Sequence, residues 1–298
     1  MNRRNFIRTT GALAAAGMLP SWASAKPAFN YKLGLQLYSL NTEMKNDPRG
    51  TLKKVSSYGY QHVETYGFNH GGNKFYWNME PEVFHALLQE NNLTTSSGHY
   101  DIDKFLLAGV TVDERKRYVD DCIKGAKVLG QQYIVWPWLD PQLRNMEKFH
   151  LLAQTLNEIG EQVHEAGLQL LYHNHNFEFV KENGKMGYDI ILSETDPKLV
   201  KLELDLYWAI RSGQDPHQLF SSQPGRFAVW HIKDMDKTNP DLHTVVGDGS
   251  IDFKKILPEA RLSGLKQIFV EQGNNYVPDA LSCVAKSAKY MKREILGK

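Results

Sequence analysis

The chain has 298 residues, of which 42% are hydrophobic and 23% are charged, a composition typical of a globular protein with one large domain or two small ones. Beyond the N-terminal segment no apolar run is long enough to cross a bilayer, and no long run of lysine and arginine is present. The sequence therefore argues against a membrane-spanning protein and against a nucleic-acid partner.

The first 25 residues have the pattern of a targeting segment. The pair Arg3 and Arg4 precedes the apolar stretch GALAAAGMLP, and residues 23–25 fit a small-residue cleavage site. This predicts a twin-arginine signal peptide over 1–25 and a periplasmic mature protein, with an ordinary Sec signal as the alternative. No cysteine follows the small residues, so no lipid or other membrane anchor is expected. Removal of the segment leaves 32 basic and 34 acidic residues, a net charge of −2.

Strand-like and helix-like segments alternate along the rest of the chain. The predicted strands cover residues 33–40, 62–68, 93–100, 132–138, 168–179, 201–208, 228–234 and 267–273. The predicted helices cover residues 48–57, 81–92, 113–130, 146–166, 188–194, 216–220, a segment starting at 252, and 279–296. Gly130 is expected to end the third helix, and Asp252 is expected to cap the seventh.

Eight strand–helix units in roughly 270 residues predict an α/β fold, a single (β/α)₈ barrel over residues 26–298. No G-x-G-x-x-G motif follows the first strand, which weakens the alternative of an open dinucleotide-binding sheet. Cys122 and Cys283 both lie in helical patterns, and we expect two separate buried thiols rather than a disulfide.

Metal-capable side chains lie near the ends of the last four predicted strands. They are His173, His175, Glu178, Asp205, His231 and Glu271. Alternation predicts that His173 and His175 share one face, and that Glu203, Asp205 and Tyr207 point toward the barrel axis. Because strand ends of such a barrel meet at one mouth, these side chains should converge. A mixed oxygen and nitrogen set without cysteine suits Mn²⁺, Mg²⁺, Co²⁺ or Zn²⁺.

Further polar and aromatic residues at the strand ends are candidates for binding substrate. They are Glu64, His99, Trp138, Trp208 and Lys233. Lys233 suits a substrate oxyanion, or alternatively an ion pair with Glu203 or Asp234. Trp138 and Trp208 could stack on a sugar ring or simply pack at the rim.

A cation at the barrel mouth can bind two neighbouring sugar oxygens and stabilise an enediolate as it forms. A carboxylate or imidazole beside it can then move the proton. The residues of strand five, His173, His175 and Glu178, are the first choice for this role, and Glu271 is a further candidate.

Five segments carry a resemblance to a known family: YHNHNFEF, LDLYW, WHIKD, VGDGSIDF and FVEQ. The chain resembles the sugar phosphate isomerase/epimerase superfamily, with its xylose isomerase-like, AP endonuclease family 2-like barrel. The resemblance implies a divalent metal held by Glu, Asp, His and Glu from strands five to eight. Asp205, His231 and Glu271 match the last three positions. The first ligand of the family is the leading Glu of an L-E-x-x-N-x-F-E pattern, and Tyr172 occupies that position here. Glu178, the last residue of the pattern, is therefore the expected ligand, with His173 or His175 as the alternative.

The resemblance implies a metal-dependent isomerase or epimerase that acts on a sugar by α-proton abstraction. A lyase or dehydratase acting on a 3-keto sugar or glycoside is the first alternative, and a non-catalytic sugar-binding barrel is the second. DNA-repair endonucleases with this barrel would need a histidine at Trp208, so we expect a small sugar or keto sugar as partner and no nucleic acid. Nothing in the sequence excludes an oligomer.

Overall fold

Eight parallel strands close into a barrel in the computed structural model, which describes residues 31–68 and 75–297. The barrel strands are β1 (Leu33–Gln36), β2 (His62–Thr65), β3 (Thr94–His99), β4 (Tyr133–Trp136), β5 (Gln169–His173), β6 (Val200–Asp205), β7 (Phe227–Ile232) and β8 (Gln267–Val270). Each pairs with its neighbour in sequence, and β8 closes on β1. The predicted (β/α)₈ barrel is confirmed. The signal peptide predicted for residues 1–25 lies outside the described residues.

Helices cover the outside of the barrel. They are α1 (Asn41–Asn46), α2 (Pro48–Ser57), α3 (Pro81–Glu90), α4 (Val112–Leu129), α5 (Met146–Glu165), α6 (Gly187–Glu194), α7 (Leu206–Arg211), α8 (Pro216–Ser222), α9 (Phe253–Ile256), α10 (Ala260–Ser263) and α11 (Ala280–Tyr290), which continues as a π-helix over Met291–Leu296. Among the described residues, none of these helices combines the length and apolar character that a membrane crossing requires.

Several helix ends follow from local chemistry. Gly130 adopts a left-handed conformation after α4, as predicted. Thr111 and Glu114 form a capping box at the start of the same helix. Asp252 does precede α9, but its side chain makes no capping hydrogen bond, so that part of the prediction is wrong. Cys122 and Cys283 are both buried free thiols, as predicted.

All eight barrel strands end earlier than predicted, and for β5 and β6 a side chain explains the end. β5 ends at His173, because the carboxylate of Glu178 accepts the backbone N–H of His175 at 2.9 Å and turns the chain. β6 ends at Asp205, whose Oδ1 accepts the N–H of Trp208 at 3.0 Å and so caps α7. The alternation predicted to continue through Glu178 and Tyr207 is therefore wrong, and Tyr207 instead packs in the core outside the barrel.

The barrel interior below the site is filled with apolar side chains. Val135, Leu171, Val229 and Phe269 pack together there, all fully buried. Gly34 on β1 makes room for this layer, since a Cβ at that position would lie 2.5 Å from the ring of Phe269. This apolar layer forms the floor of the C-terminal mouth of the barrel, the end at which the candidate site residues of the last four strands lie.

The long segment after β7 folds around the carboxylate of Asp234. Its Oδ2 accepts the backbone N–H groups of Gly247 and Gly249 at 2.9 and 3.1 Å. Its Oδ1 accepts those of Met235 and Ile251 at 2.8 and 3.1 Å. Asp234 is thus occupied in shaping this segment and makes no ion pair with Lys233 among the described contacts.

We expect Asp234→Asn to lower the free energy of unfolding by about 1–3 kcal/mol, because the buried side chain would turn an amide NH₂ toward two of these N–H groups and leave them unpaired. Urea denaturation measures the loss, and faster hydrogen exchange at Gly247 and Gly249 would locate it. Asp236→Asn is the matched control, since the exposed Asp236 carboxylate accepts through Oδ1 alone, which asparagine retains. An equal loss in both variants would contradict this account.

Candidate active site

Carboxylates, imidazoles and one ammonium group meet at the C-terminal mouth of the barrel. They belong to Glu64, His99, His173, Glu203, Asp205, His231, Lys233 and Glu271. All except His99 are buried, and His99 is largely so. Buried charges are stable only when they are paired or hold a metal, so the pairing within this group decides its chemistry.

An inner layer of this group is built around Glu64. Its Oε1 accepts from Ser97 Oγ at 2.5 Å, and its Oε2 accepts from Gln36 Nε2 at 2.8 Å and lies 2.6 Å from His231 Nε2. Burial alone would raise the pKa of Glu64, but His99 and His231 hold it well below its ordinary value. Glu64, predicted to bind substrate, lies beneath His231 and orients that ring.

His99 lies between two carboxylates. Its Nε2 is 2.8 Å from Glu203 Oε2 and 3.3 Å from Glu64 Oε2. Burial would lower the pKa of His99, but the two carboxylates raise it to about 9. Burial and Glu64 would raise the pKa of Glu203, yet His231 and His99 lower it to about 2. At neutral pH we therefore assign a positive charge to His99.

An outer layer offers four ligand atoms that all lie within 4.8 Å of one another. It consists of His173, Asp205, His231 and Glu271. The Nδ1 atom of His173 lies 2.9 Å from Glu203 Oε2, and its Nε2 atom lies 3.9 Å from Asp205 Oδ2. His231 places Nδ1 2.7 Å from Glu271 Oε2 and Nε2 next to Glu64. Each imidazole thus turns one nitrogen to this group and the other to a carboxylate behind it, the arrangement that fixes histidine ligands in metal sites. The donor set fits a divalent metal.

A second set of four ligand atoms, deeper in the barrel, also lies within 4.8 Å of one another. It consists of His99, His173, Glu203 and His231. In this set His231 would have to bind through Nε2, which already faces Glu64 outside the set, and the set includes the positively charged His99. The outer layer is therefore the better metal-binding group.

Lys233 pairs with the two carboxylates of the outer layer. Its Nζ lies 2.8 Å from Asp205 Oδ2 and 2.9 Å from Glu271 Oε2. Burial would lower the pKa of Lys233, but these carboxylates raise it above its ordinary value. Lys233 and His231 in turn hold the pKa of Glu271 well below its usual range, against the effect of burial. The same two oxygens thus already attract a cation.

Glu178 lies outside both metal-capable groups of the described residues. It accepts a hydrogen bond from the Tyr172 hydroxyl at 2.8 Å and another from the His175 backbone at 2.9 Å. Burial raises the pKa of Glu178 to about 8. The structure therefore places this residue where it shapes the turn that carries His175.

The raised pKa of Glu178 predicts a pH dependence of stability. Because this carboxyl binds its proton more tightly in the folded state, its contribution is fully present below about pH 4.5 and is lost as the pH rises to about 8. Between pH 5 and pH 9 the free energy of unfolding of the wild type should fall by a few kcal/mol more than that of Glu178→Gln. The size follows from the pKa shift, since one pKa unit corresponds to about 1.4 kcal/mol. Urea denaturation across this range tests it. The exposed Glu182→Gln is the control, and parallel profiles for Glu178→Gln and wild type would refute the prediction.

A cavity of about 490 Å³ opens onto the outer layer. Its lining includes Tyr38, Tyr66, His99, Asp101, Trp138, His173, His175 and Glu271. The exposed fractions of Tyr38 and Trp138 are 45% and 41%, so both present aromatic faces at the rim. Tyr38, Tyr66 and Asp101 were not singled out from the sequence. Tyr38 and Tyr66 lie inside the predicted strands, but in the structure β1 and β2 end two and one residues earlier, and Asp101 follows the end of β3.

His175 is enclosed by aromatic rings. Its ring centre lies 4.9 Å from Trp138, 5.6 Å from Phe177 and 5.6 Å from Trp208. Burial, and then the charge of Lys233, lower the pKa of His175 well below its ordinary value, so the ring is neutral. Its Nδ1 is buried and has no hydrogen-bond partner among the described residues.

The sequence model described as the xylose isomerase-like TIM barrel matches residues 52–293, which contain every barrel strand except β1. The chain belongs to the xylose isomerase-like TIM barrel family. This confirms the resemblance inferred from the sequence motifs. A second sequence model, that of twin-arginine translocation signals, matches residues 1–20 of this family member and implies export by that route.

Relatives of this xylose isomerase-like barrel include dehydratases. The chain is 29% identical over 169 residues to an inosose dehydratase of Clostridium botulinum, with 50% of the chain and 56% of the relative aligned. The chain spans about half the length of the curated relatives it matches. A sugar phosphate isomerase/epimerase structure from Parabacteroides distasonis is 26% identical at a TM-score of 0.77, covering 93% of this chain and 98% of that one. The IOLI protein with a bound zinc atom shares the fold at 17% identity and a TM-score of 0.67, with coverages of 89% and 98%.

Proposed function

We propose that the protein is a metal-dependent lyase that removes the proton next to the carbonyl of a keto sugar or keto polyol and expels water or an alcohol. The main support is the outer layer of His173, Asp205, His231 and Glu271, of which His173 and Glu271 line the cavity. The likeness to inosose dehydratases supports elimination over the isomerisation expected from the sequence. Isomerisation or epimerisation is the second candidate, supported by the likeness to the Parabacteroides distasonis structure.

A divalent cation held by the outer layer would polarise the substrate carbonyl and stabilise the negative charge that develops when the proton leaves. The buried charges favour one such ion. Burial would lower the pKa of His231, but without metal Glu203 and Glu64 raise it well above its ordinary value, so this ring is a cation as well. A metal bound at His231 Nδ1 would displace one of its protons, which would leave two cations, His99 and Lys233, facing the four carboxylates of Glu64, Glu203, Asp205 and Glu271. One divalent ion balances the group, so we propose one ion per chain, with zinc, magnesium, manganese and cobalt all compatible with the donors.

The residues of this chain would move two protons. His175 accepts the α-proton at its unpartnered Nδ1 as the C–H bond breaks, and Glu178 holds the turn that positions His175. A carbon–carbon double bond forms as the C–O bond at the next carbon breaks. His99, which lines the cavity, donates its proton to the departing oxygen. Trp138 and Tyr38 at the rim would stack on the sugar.

The experiment is to incubate the metal-loaded protein with inosose and with 3-keto glucosides, and to identify products by mass spectrometry and NMR. We expect loss of one water from inosose and release of the alcohol from the glucosides. His175→Asn should slow the reaction by about 100-fold or more while metal content stays unchanged. A product of unchanged mass and altered configuration would instead establish an isomerase or epimerase.

We further propose that the mature protein is periplasmic and that its substrate is not phosphorylated, because sugar phosphates are mainly cytoplasmic. The twin-arginine signal supports this. Replacement of Arg3 and Arg4 by lysine should trap the precursor in the cytoplasm, as immunoblots of fractionated cells would show. Normal export of the lysine variant would contradict use of the twin-arginine route.

A further inference from the structure

Two buried N–H donors beside the outer layer lack acceptors among the described residues. They belong to the His243 imidazole and the Trp208 indole, whose Nε2 and Nε1 atoms are each buried without a hydrogen-bond partner. The exposed fraction of His243 is 4%. A buried donor without an acceptor destabilises the folded state, so two such donors side by side indicate that a ligand supplies the acceptor.

The hydrogen bonding of His243 determines which of its nitrogens carries the proton. The backbone N–H of Gly273 donates to Nδ1 at 2.8 Å. A neutral imidazole that accepts at Nδ1 has its hydrogen on Nε2. Burial, and then the charge of Lys233, lower the pKa of His243 to about 3, so the ring is neutral. The Nε2–H group is therefore a fixed donor.

The surroundings place both rings next to the proposed reaction site. The rings of His243 and Trp208 lie 6.0 Å apart and nearly perpendicular. Trp208 is three residues beyond Asp205, and its ring centre is 5.7 Å from Lys233 Nζ and 5.6 Å from the ring of His175. The ring of Tyr207 lies 4.5 Å from His243 and 4.7 Å from Trp208, so it packs against both rings and holds them in place.

We propose that His243 Nε2–H and Trp208 Nε1–H form a subsite that binds a substrate oxygen carrying no hydrogen, namely a carbonyl, ring or glycosidic oxygen of a neutral keto sugar. The proposal rests on the function proposed above. A hydroxyl that faced only donors would leave its own hydrogen unpaired, whereas a carbonyl or ether oxygen has only lone pairs to satisfy. Because both rings are neutral, the subsite does not select for a phosphate.

Nitrogen-15 NMR of the metal-loaded protein tests the subsite directly with inosose as the probe. We expect His243 to be protonated at Nε2, and its Nε2 and H resonances to shift when inosose saturates the protein. His243→Asn keeps an acceptor for Gly273 but has no donor at the Nε2 position, and should raise the Kd for inosose about tenfold, the effect expected for one buried hydrogen bond. His243→Gln keeps an amide donor there and should change the Kd by less than about threefold.

Protonation at Nδ1, or equal Kd values for both variants together with an unshifted His243, would overturn the subsite. If the protein still eliminates water from inosose under those conditions, the proposed lyase activity is retained and only the His243–Trp208 subsite is overturned. Binding that shifts His243, without any reaction, would overturn the lyase and retain the subsite. Failure of both inosose and a 3-keto glucoside to bind would overturn both.

Discussion

We expect His173→Gln to abolish the proposed metal binding and Glu178→Gln to retain it. His173 Nε2 faces Asp205 within the outer layer, while Glu178 is engaged by Tyr172 and the His175 backbone. Loss of a ligand should lower metal affinity by more than the roughly 10- to 100-fold that follows loss of an outer-shell partner. Elemental analysis after dialysis, followed by calorimetric titration of the metal, provides the measurement.

The two variants are matched, because both replace a buried side chain of the same chain segment by glutamine. Glu178→Gln retains a carbonyl oxygen that can accept from the His175 backbone, so the turn should persist. Metal retained in His173→Gln and lost in Glu178→Gln would restore Glu178 as the first ligand, which the family pattern implied.

Lys233→Met should destabilise the metal-free protein by about 3–5 kcal/mol, the loss typical when one partner of a buried ion pair is removed. Asp205 and Glu271 would then lie buried beside each other without Lys233, their shared cation. Bound metal should recover much of this stability, because it supplies positive charge to the same carboxylates. Thermal unfolding with metal and with chelator measures both effects.

Lys201→Met is the control for Lys233→Met. Lys201 is a half-buried lysine on β6 whose Nζ donates to the Gly225 carbonyl at 3.0 Å. We expect this variant to lose about 1 kcal/mol or less and to show no dependence on metal. A loss in Lys233→Met that is the same with metal and with chelator would contradict a cation site at these carboxylates.

The barrel was predictable from the sequence because each strand is a short apolar run separated from the next by a helix. The positions of Asp205, His231 and Glu271 were equally accessible, since each lies within one residue of the end of its strand. Parallel strands of one barrel bring these ends to one mouth, so periodicity alone indicates that the side chains are neighbours.

The fifth strand was harder to interpret because a side chain ends it. The bond from the His175 backbone to Glu178 stops β5 at His173, and a pattern of apolar residues carries no signal for that bond. His243 lay beyond sequence reasoning for a similar reason. It belongs to a two-residue strand, His243–Thr244, in the segment organised by Asp234, where neither the helical nor the strand period applies.

The reaction class also lay beyond the sequence. An isomerase and a lyase remove the same proton and use the same stabilisation of the resulting charge, and they differ in whether a leaving group occupies the next carbon. The residues at the barrel mouth serve either outcome, and the likeness to inosose dehydratases is what favours elimination here.

Metal-dependent proton abstraction at the barrel mouth is tested by following the α-proton of the substrate. Inosose and a 3-keto glucoside are incubated in D₂O with metal-loaded wild-type protein and with His173→Gln, and proton NMR records the hydrogen next to the ketone. We expect this hydrogen to be lost to solvent in the wild type, and at least about 100-fold more slowly in His173→Gln. Product that retains the original hydrogen, transferred between carbons without solvent deuterium, would contradict proton abstraction at this site.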